Sequence, residues 1–310
     1  MKLRIGSRGS QLALWQANHI AGLLRGEGHE VEIEIIKTTG DWLQEVTFAQ
    51  VGSKGMFTKE IEEALAEGRV DLAVHSLKDL PTELPEPFAL AATPRRVDPR
   101  DVLVSVKYQD LSALPHGAVV GTSSLRRRAQ LKALRPDIDA IEFRGNVDTR
   151  LRKLSEGKVD AILLAAAGLD RLEKTEAVRV RLEPQDFCPA VGQGALGIET
   201  RKNDSRTIGA LEFLNDEPTR FAVTVERAAL AALGGGCQVP IGVHCRETAA
   251  GSRIEIFGVV ADPANGTAVR VYHEQARNGT DPAALGKLIA TKLVEAGAGP
   301  LLAALSESKG

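Results

Sequence analysis

A repeated order of buried strand, polar turn and helix is the feature that most constrains the fold of this chain. In the first hundred residues, strands are predicted at 2–5, 31–37 and 70–74, and helices at 11–24 and 59–67. The stretch 38–57 has little regular pattern, and a loop of that length is typical of a lid or binding segment. Strands that alternate with helices predict an α/β fold with a mostly parallel sheet and a ligand at the carboxyl ends of its strands.

A second series of strand, turn and helix follows the proline-bounded segment 94–99. Each strand runs into a small or hydroxyl-bearing turn, and the free amides and positive dipole end of the next helix receive anions. Arginines stand at these turns and at the turn after the first strand: Arg8, Arg126, Arg127, Arg144 and Arg150. Because the arginine fork binds carboxylates and phosphates bidentately, we expect a cleft for a ligand with several anionic groups.

Positive charge is concentrated in the middle of the chain. Residues 122–153 hold nine Lys or Arg against four Asp or Glu, although the whole chain has a formal net charge of −2. A solvated helix face is the alternative interpretation of Arg126, Arg127 and Arg128, and an isolated run would favour it. Nucleic-acid binding is not indicated, because aromatic residues make up only 4% of the chain and do not interleave with the basic ones.

Length and cysteine usage indicate a protein of two or three domains in a reducing compartment. At 310 residues the chain is longer than a single domain with one hydrophobic core usually is. It enters a strand directly after Met1 without an apolar signal region, and no uninterrupted apolar run is long enough to span a membrane, so we expect a cytoplasmic location. Three cysteines without a CxxC pair argue against a disulfide framework.

Cys237 follows three glycines and precedes Pro240 in the segment LGGGCQVPIG at 233–242. Glycines leave no side chain to shield the sulfur and let the backbone approach a bulky group, so we expect this thiol to be presented to a ligand. A flexible turn with an incidental thiol is the alternative interpretation. Zinc binding with the neighbouring His244 and Cys245 is not favoured, because the spacing fits no common ligand pattern.

The last third of the chain differs from the rest. Gly192, Gly194 and Gly197 match GxGxxG, but Gly197 leads into a strand-like stretch and not a helix, so a crossover between domains is the better interpretation. Helices are predicted at 203–214, 218–233 and 282–295, and strands at 253–261 and 267–277. This pattern predicts a small α+β domain with the cysteine loop at its entrance.

Taken together, the chain resembles the porphobilinogen deaminase family over essentially its whole length. The matching runs are RIGSRGSQLALWQA at 4–17, GSKGMF at 52–57, AVHSLKDLP at 73–81, VGTSSLRR at 120–127, RGN at 144–146, AVGQGA at 190–195 and GGGCQVP at 234–240. So many separate motifs in one order make a chance resemblance negligible. Departures are small: Arg128 makes a triple arginine, and Asp148 places a carboxylate beside the basic turn at 144–150.

The resemblance implies two α/β domains, similar to periplasmic binding proteins, around a cleft, and a small C-terminal α+β domain. The implied boundaries are 1–98 with 195–216 for domain 1, 99–194 for domain 2 and 217–310 for domain 3. It also implies a dipyrromethane cofactor, joined to Cys237 by a thioether. The implied activity is that of a monomeric transferase of tetrapyrrole and heme biosynthesis, which condenses four porphobilinogens head-to-tail into hydroxymethylbilane and releases ammonia.

Site residues follow from the resemblance position by position. Asp79 is the implied catalytic carboxylate, although a helix cap or a salt bridge to Lys78 would be its ordinary role. The implied cofactor contacts are Cys237, Lys78, Asp79, Thr122, Ser123, Arg126, Arg127 and Arg144. The implied substrate contacts are Arg8, Ser10, Arg144, Arg150, Arg171, Lys54 and Lys59. No metal site is implied.

Two other classes of protein explain part of the pattern. A non-catalytic two-lobed binding protein for a polycarboxylate ligand accounts for the arginine turns, but not for the cysteine loop, and normally carries a signal peptide. A nucleic-acid-binding module accounts only for residues 122–153. We therefore expect porphobilinogen as the substrate, with neither nucleic acid nor membrane as a partner.

Overall fold

The structure is a computed structural model that describes residues 1–39, 58–235, 239–248 and 251–307. Contacts divide the chain into two compact units: Met1–Val97 with Gly194–Arg220, and Asp98–Gln193 with Phe221–Gly310. Most of the loop predicted at 38–57, including Lys54, lies outside the described residues, and so does Cys237. The separate third domain at 217–310 stays a prediction, since one unit contains both 98–193 and 221–310.

The secondary structure of the described residues alternates strands and helices through the first two thirds of the chain. The strands are β1 (Lys2–Ser7), β2 (Glu30–Ile35), β3 (Leu72–Ser76), β4 (Phe88–Ala92), β5 (Asp101–Val104), β6 (Val119–Gly121), β7 (Asp139–Ile141), β8 (Ala161–Ala165), β9 (Val178–Arg181), β10 (Leu196–Arg201), β11 (Ile241–Glu247), β12 (Arg253–Ala261) and β13 (Ala268–Ala276). The helices are α1 (Gln11–Gly26), α2 (Lys59–Ala66), α3 (Leu125–Leu134), α4 (Val147–Ser155), α5 (Ala166–Arg171), α6 (Ser205–Leu211), α7 (Glu217–Ala232), α8 (Pro282–Leu293) and α9 (Gly299–Glu307).

Two five-stranded sheets share one topology. The first has the strand order β2-β1-β3-β10-β4 and the second the order β7-β6-β8-β5-β9. In each, four strands run in the same direction, and one strand, β10 in the first sheet and β5 in the second, lies between two of them and is antiparallel to both. The prediction of a mostly parallel sheet is therefore confirmed, apart from one antiparallel strand in each sheet, whose direction a buried apolar pattern does not indicate.

Each sheet buries apolar side chains against its helices. In the first unit, α1 packs with Ala17, Ile20, Ala21 and Leu24, all fully buried, onto the core that contains Leu3 and Ile5 of β1. The spacing of these helix residues places them on one face of α1. β3 is buried over Leu72, Ala73, Val74 and His75, as expected for an inner strand covered on both faces.

A three-stranded antiparallel sheet, in the order β11-β12-β13, makes up the C-terminal part of the fold. Val225 and Ala229 of α7 and Ile289 and Leu293 of α8 share its apolar core with Ile256. The α/β fold class with a small C-terminal α+β part is confirmed. The prediction of β12 is confirmed to the residue, whereas α9 was not predicted.

Residues Pro282–Leu305 have the length and composition of a membrane span, with 24 residues and a mean hydropathy of 1.5 over an 18-residue window. The stretch is broken at Gly297, where a φ of 105° interrupts the helical backbone between α8 and α9. Leu285, Ile289 and Leu293 face the core of the three-stranded sheet. The apolar character of α8 is thus explained by its packing in this core.

Candidate functional site

Asp79 lies on a short turn directly after β3. A 3₁₀ helix, Leu77–Asp79, follows the strand, and the amide of Leu77 donates a hydrogen bond to the carbonyl oxygen of Ala195 at 3.0 Å. Leu77 and Leu80 are buried on either side, whereas Asp79 is exposed. Its carboxylate has no hydrogen bond or ion pair among the described residues. Asp79 is therefore neither a helix cap nor the salt-bridge partner of Lys78 here, and its carboxylate can approach a ligand.

Polar contacts fix the strand that carries this turn. The Nε2 atom of His75 lies 3.1 Å from Oε2 of Glu199, and both side chains are buried. Gln16 of α1 donates a hydrogen bond from Nε2 to the Ser76 hydroxyl at 2.8 Å. Because buried polar groups are costly when unpaired, these contacts favour one position of the end of β3.

The predicted turns before α1, α3 and α4 are helix N-caps. Ser10 accepts a hydrogen bond from the amide of Ala13 at 3.3 Å, and Ser124 accepts one from the amide of Arg127 at 3.4 Å. Asn146 accepts one from the amide of Thr149 at 2.9 Å. Side-chain oxygens at this position pair with amides that the helix leaves unsatisfied. The fourth turn, before α5, has no side-chain cap.

Arg126 and Arg127 are buried and paired with Asp101, the first residue of β5. Arg126 donates from Nη1 to Oδ2 of Asp101 at 2.7 Å and to the carbonyl oxygen of Cys188 at 2.5 Å. Arg127 donates from Nε and Nη2 to Oδ1 of Asp101 and from Nη1 to the carbonyl oxygen of Leu163. The side chains are only 5% and 8% exposed, so the alternative of a solvated helix face is wrong for these two arginines.

Arg150 is a half-buried cation without an ion pair among the described residues. Its Nη2 donates to the Ser123 hydroxyl at 3.3 Å, and its Nε is buried without a hydrogen-bond partner. Burial, together with the positive charges of Arg127 and Arg144, lowers the pKa of Arg150 to about 10. Since no neighbouring carboxylate offsets this cost, the local field favours an anionic ligand.

Other residues singled out from the sequence near Arg127 and Arg150 have polar contacts of their own. Arg144 pairs with Glu142, with 2.5 Å between Nη2 and Oε1. Thr122 is buried and accepts a hydrogen bond from the amide of Ser124 at 3.2 Å. Asp148, which departs from the family pattern, pairs with Lys174 at 2.6 Å. The departure at Asp148 therefore has a local ion-pair partner.

The structure assigns the predicted site residues to two units. Arg8, Ser10, Lys59, Lys78 and Asp79 belong to the first unit, and Thr122, Ser123, Arg126, Arg127, Arg144, Arg150 and Arg171 to the second. Burial lowers the pKa of Arg171, the last residue of α5, to about 10. Lys59 begins α2 and is exposed, with a Glu63 oxygen 3.9 Å from its Nζ. Lys54 and Cys237 lie outside the described residues.

The described residues before Cys237 form a tight end to α7. Gly234 has a φ of 68°, a conformation that favours glycine, and its amide bonds to the carbonyl oxygen of Ala231. A Cβ atom on Gly235 would lie 2.4 Å from Cδ1 of Leu230. A side chain on the second glycine of the run would therefore force Leu230 to shift, a contact that the sequence pattern alone did not indicate.

The two other cysteines are buried. Cys188 is 1% and Cys245 2% exposed. Burial raises the pKa of Cys188 to about 12, and its Sγ lies 3.4 Å from the carbonyl oxygen of Phe257. A thiol in such surroundings stays protonated and is a poor nucleophile. Both residues behave as small apolar side chains in the fold.

We expect a thiol reagent to leave Cys188 and Cys245 unmodified in the folded protein, because both are inaccessible and because burial also raises the pKa of Cys188 to about 12. After denaturation, the reagent should titrate two of the three thiols if Cys237 carries an adduct, and all three if it does not. Titration without and with denaturant measures the number of reactive thiols in the folded and in the unfolded protein, and peptide mapping identifies them. Labelling of Cys188 or Cys245 before unfolding would contradict the buried assignment.

Sequence analysis missed two buried carboxylates that organise this unit. Asp101 accepts hydrogen bonds from Arg126, Arg127 and Gln193. Glu226 of α7 accepts from the amide of Gly192 at 2.7 Å and from the amide of Cys245 at 2.9 Å. Both side chains are 0% exposed. A signal existed in each case, since Asp101 begins an apolar strand and Glu226 lies in a largely apolar helix, but their partners are distant in sequence.

The fold and the cationic turns are those of an α/β protein whose surface suits anionic ligands. Two family models cover most of the chain: the dipyrromethane cofactor-binding domain of porphobilinogen deaminase matches residues 3–209, and its C-terminal domain matches residues 220–295. The chain belongs to the porphobilinogen deaminase family.

Relatives of similar length support this assignment. The porphobilinogen deaminase of Nitratidesulfovibrio vulgaris strain Miyazaki F is 50% identical over 306 residues, which cover 97% of this chain and 96% of the relative. That of Roseiflexus castenholzii is 48% identical over 303 residues, covering 97% and 98%. The family predicted from the sequence motifs is therefore confirmed.

Two solved structures show distant likenesses. A putative methionine-binding lipoprotein from Bacillus subtilis aligns with a TM-score of 0.44 at 13% identity, covering 70% of this chain and 92% of that one. The L-cystine solute receptor of Neisseria gonorrhoeae aligns with a TM-score of 0.39 at 15% identity, covering 77% and 94%.

Proposed function

We propose that this chain condenses four porphobilinogen molecules into hydroxymethylbilane with release of ammonia, primed by a dipyrromethane on Cys237. The observation that carries the proposal is the uncompensated cation Arg150, which lies close to Arg127 and Arg144 and contacts Ser123. Porphobilinogen has acetate and propionate groups, so a growing pyrrole chain accumulates carboxylates. A half-buried cation without a carboxylate partner among the described residues is suited to bind one of them.

The residues present fit a dipyrromethane. The buried Nε of Arg150 has no hydrogen-bond partner among the described residues, and a carboxylate of the cofactor can supply one. Ser123, Arg127 and Arg144 are the neighbouring groups that would hold further carboxylates. The cofactor, when bound, supplies the primer to which substrate units are added.

The chain's own residues bind and orient the reactants. In this proposal Arg8, Ser10, Lys54, Lys59 and Arg171 contact the substrate or the growing chain, and Lys78 and Thr122 contact the cofactor. Asp79 holds a negative charge beside the nitrogen that leaves as ammonia. There it stabilises the positive charge that develops on the substrate in the transition state, which is the main way a fixed carboxylate accelerates such a step.

We further propose that the protein acts as a cytoplasmic monomer with porphobilinogen as its small-molecule partner. The support is the family itself, whose reaction uses a small polycarboxylate and neither a nucleic acid nor a membrane. Size-exclusion chromatography with light scattering tests the oligomeric state. A stable dimer at micromolar concentration would contradict the monomer.

Intact mass spectrometry tests the covalent cofactor directly. The purified protein should exceed the mass of the bare chain by one dipyrromethane, and peptide mapping should place the adduct on Cys237. Cys237→Ser should fold, remain at the bare mass and have no activity, since the sulfur that forms the thioether is gone. Active protein at the bare mass, or an adduct on another residue, would overturn the proposal. Bare protein that only binds a polycarboxylate reversibly would support the two-lobed binding protein instead.

A further inference from the structure

Asp101 links the arginines of α3 to two other segments of the second unit. The two oxygens of Asp101 accept hydrogen bonds from three side chains. Oδ2 accepts from Arg126, and Oδ1 accepts from Arg127 and from Gln193. Gln193 also donates from Nε2 to the carbonyl oxygen of Pro99 at 2.7 Å. Asp101 thus fixes α3 relative to the start of β5 and to the crossover segment that contains Gln193.

Burial makes this arrangement rigid and sensitive to charge. The Asp101 side chain is 0% exposed. Burial alone raises the pKa of its carboxyl, but the charges of Arg126 and Arg127 outweigh this effect and lower the pKa well below its usual range. The carboxylate is therefore ionised in the folded protein, and neither arginine can rotate away without leaving a buried charge unpaired.

The arginines keep donors for a ligand despite these contacts. A guanidinium has five N–H groups in a fixed plane. Arg126 donates two hydrogen bonds and Arg127 donates three to protein acceptors, so part of each guanidinium's set of N–H groups is left for a ligand. One carboxylate also leaves the two cations with a net positive charge, next to the cation of Arg150. The geometry therefore orients the remaining donors and preserves the charge that attracts carboxylates.

We propose that Asp101 is a positioning residue, which sets the orientation of Arg126 and Arg127 for the carboxylates of the pyrrole cofactor and growing chain. This inference rests on the proposed function. Asp101 acts through the arginines and does not contact the substrate. Its replacement should therefore impair acquisition of the cofactor, beyond any loss of stability.

The substitution Asp101→Asn tests the inference. An amide keeps the size of the side chain but removes its charge and places an N–H group against a guanidinium. The fraction of protein that carries the dipyrromethane, measured by intact mass after expression at low temperature, should fall by about tenfold to a hundredfold. The rate at which the bare fraction gains this mass on incubation with porphobilinogen should fall in parallel.

Asp98→Asn is the matched control, three residues earlier. Asp98 pairs with Arg100 at 2.8 Å and with Arg181 at 2.9 Å, neither of which belongs to the proposed site. It should lose thermal stability but keep the parental cofactor fraction. An equal cofactor fraction in Asp101→Asn, Asp98→Asn and the parent would overturn the positioning role, while leaving the proposed function intact. A parent that itself carries no adduct would overturn the proposed function.

Gln193→Met covers the case in which Asp101→Asn does not fold. It removes the hydrogen bonds to Asp101 at 2.9 Å and to the carbonyl oxygen of Pro99 at 2.7 Å, and it retains both ion pairs of Asp101. We expect this variant to fold and to acquire the cofactor several-fold more slowly than the parent, because the loss of a neutral donor has a smaller effect than the loss of a charge. If folded Gln193→Met protein gained cofactor at the parental rate, the hydrogen bonds of Asp101 would not position the arginines for the cofactor. Asp101 would then contribute to the stability of the fold and not to cofactor binding.

Discussion

Asp79→Asn should keep the fold and the bound cofactor but lose about a thousandfold in turnover. Loss of ammonia leaves positive charge on the substrate, and a carboxylate about 4 Å away at an effective dielectric constant of 20 stabilises it by roughly 4 kcal/mol. That energy corresponds to about three decades in rate. Steady-state kinetics of the variant, together with its intact mass, measures the loss separately from cofactor content.

Asp71→Asn is the control for this prediction. Asp71 lies in the same unit, accepts a hydrogen bond from the amide of Arg4 at 2.8 Å and forms an ion pair with its side chain at 3.0 Å. Asp79 has no such contacts among the described residues. We therefore expect opposite outcomes: Asp71→Asn should lose stability and keep turnover, while Asp79→Asn keeps stability and loses turnover. If Asp79→Asn turned over within about tenfold of the parent, Asp79 would have no part in the mechanism.

Local patterns predicted the elements whose causes are local. Hydroxyl and amide residues before α1, α3 and α4 predicted the turns that cap these helices, because an N-cap depends on an amide three residues away. The spacing of apolar residues predicted α1 and β12. The direction of β10 was beyond such reasoning, since its neighbours β3 and β4 lie more than a hundred residues earlier in the chain.

The environment of Arg126 and Arg127 likewise could not be predicted from the neighbouring sequence. Nothing within residues 122–153 distinguishes the buried Arg126 and Arg127 from a solvated helix face. Their burial depends on Asp101, which is 25 residues from Arg126, and on the carbonyl oxygen of Cys188, which is 62 residues away. Sequence motifs identified the family and the positions, but the internal pairing of these arginines required the structure.

Arg150→Leu should stabilise the protein and at the same time impair binding. A pKa lowered from 12.5 to about 10 corresponds to a penalty of roughly 3 kcal/mol on the charged form, which the fold tolerates without an ion pair among the described residues. Leucine removes this penalty and the long hydrogen bond to Ser123 at 3.3 Å. In a Cys237→Ser background, which excludes the cofactor, we expect a melting temperature that is unchanged or higher by a few degrees.

The functional cost of Arg150→Leu should be large. A charged hydrogen bond to a ligand carboxylate contributes about 1.5–3 kcal/mol, so kcat/KM should fall by roughly tenfold to a hundredfold in otherwise native protein, with shortened pyrrole chains accumulating on the enzyme. Arg152→Leu, two positions further along α4, is the control: its side chain is 63% exposed and pairs with Glu156 at 2.6 Å. It should change neither turnover nor the bound species, since an exposed pair contributes little. If Arg150→Leu lowered the melting temperature and left turnover intact, Arg150 would serve the fold and not the ligand.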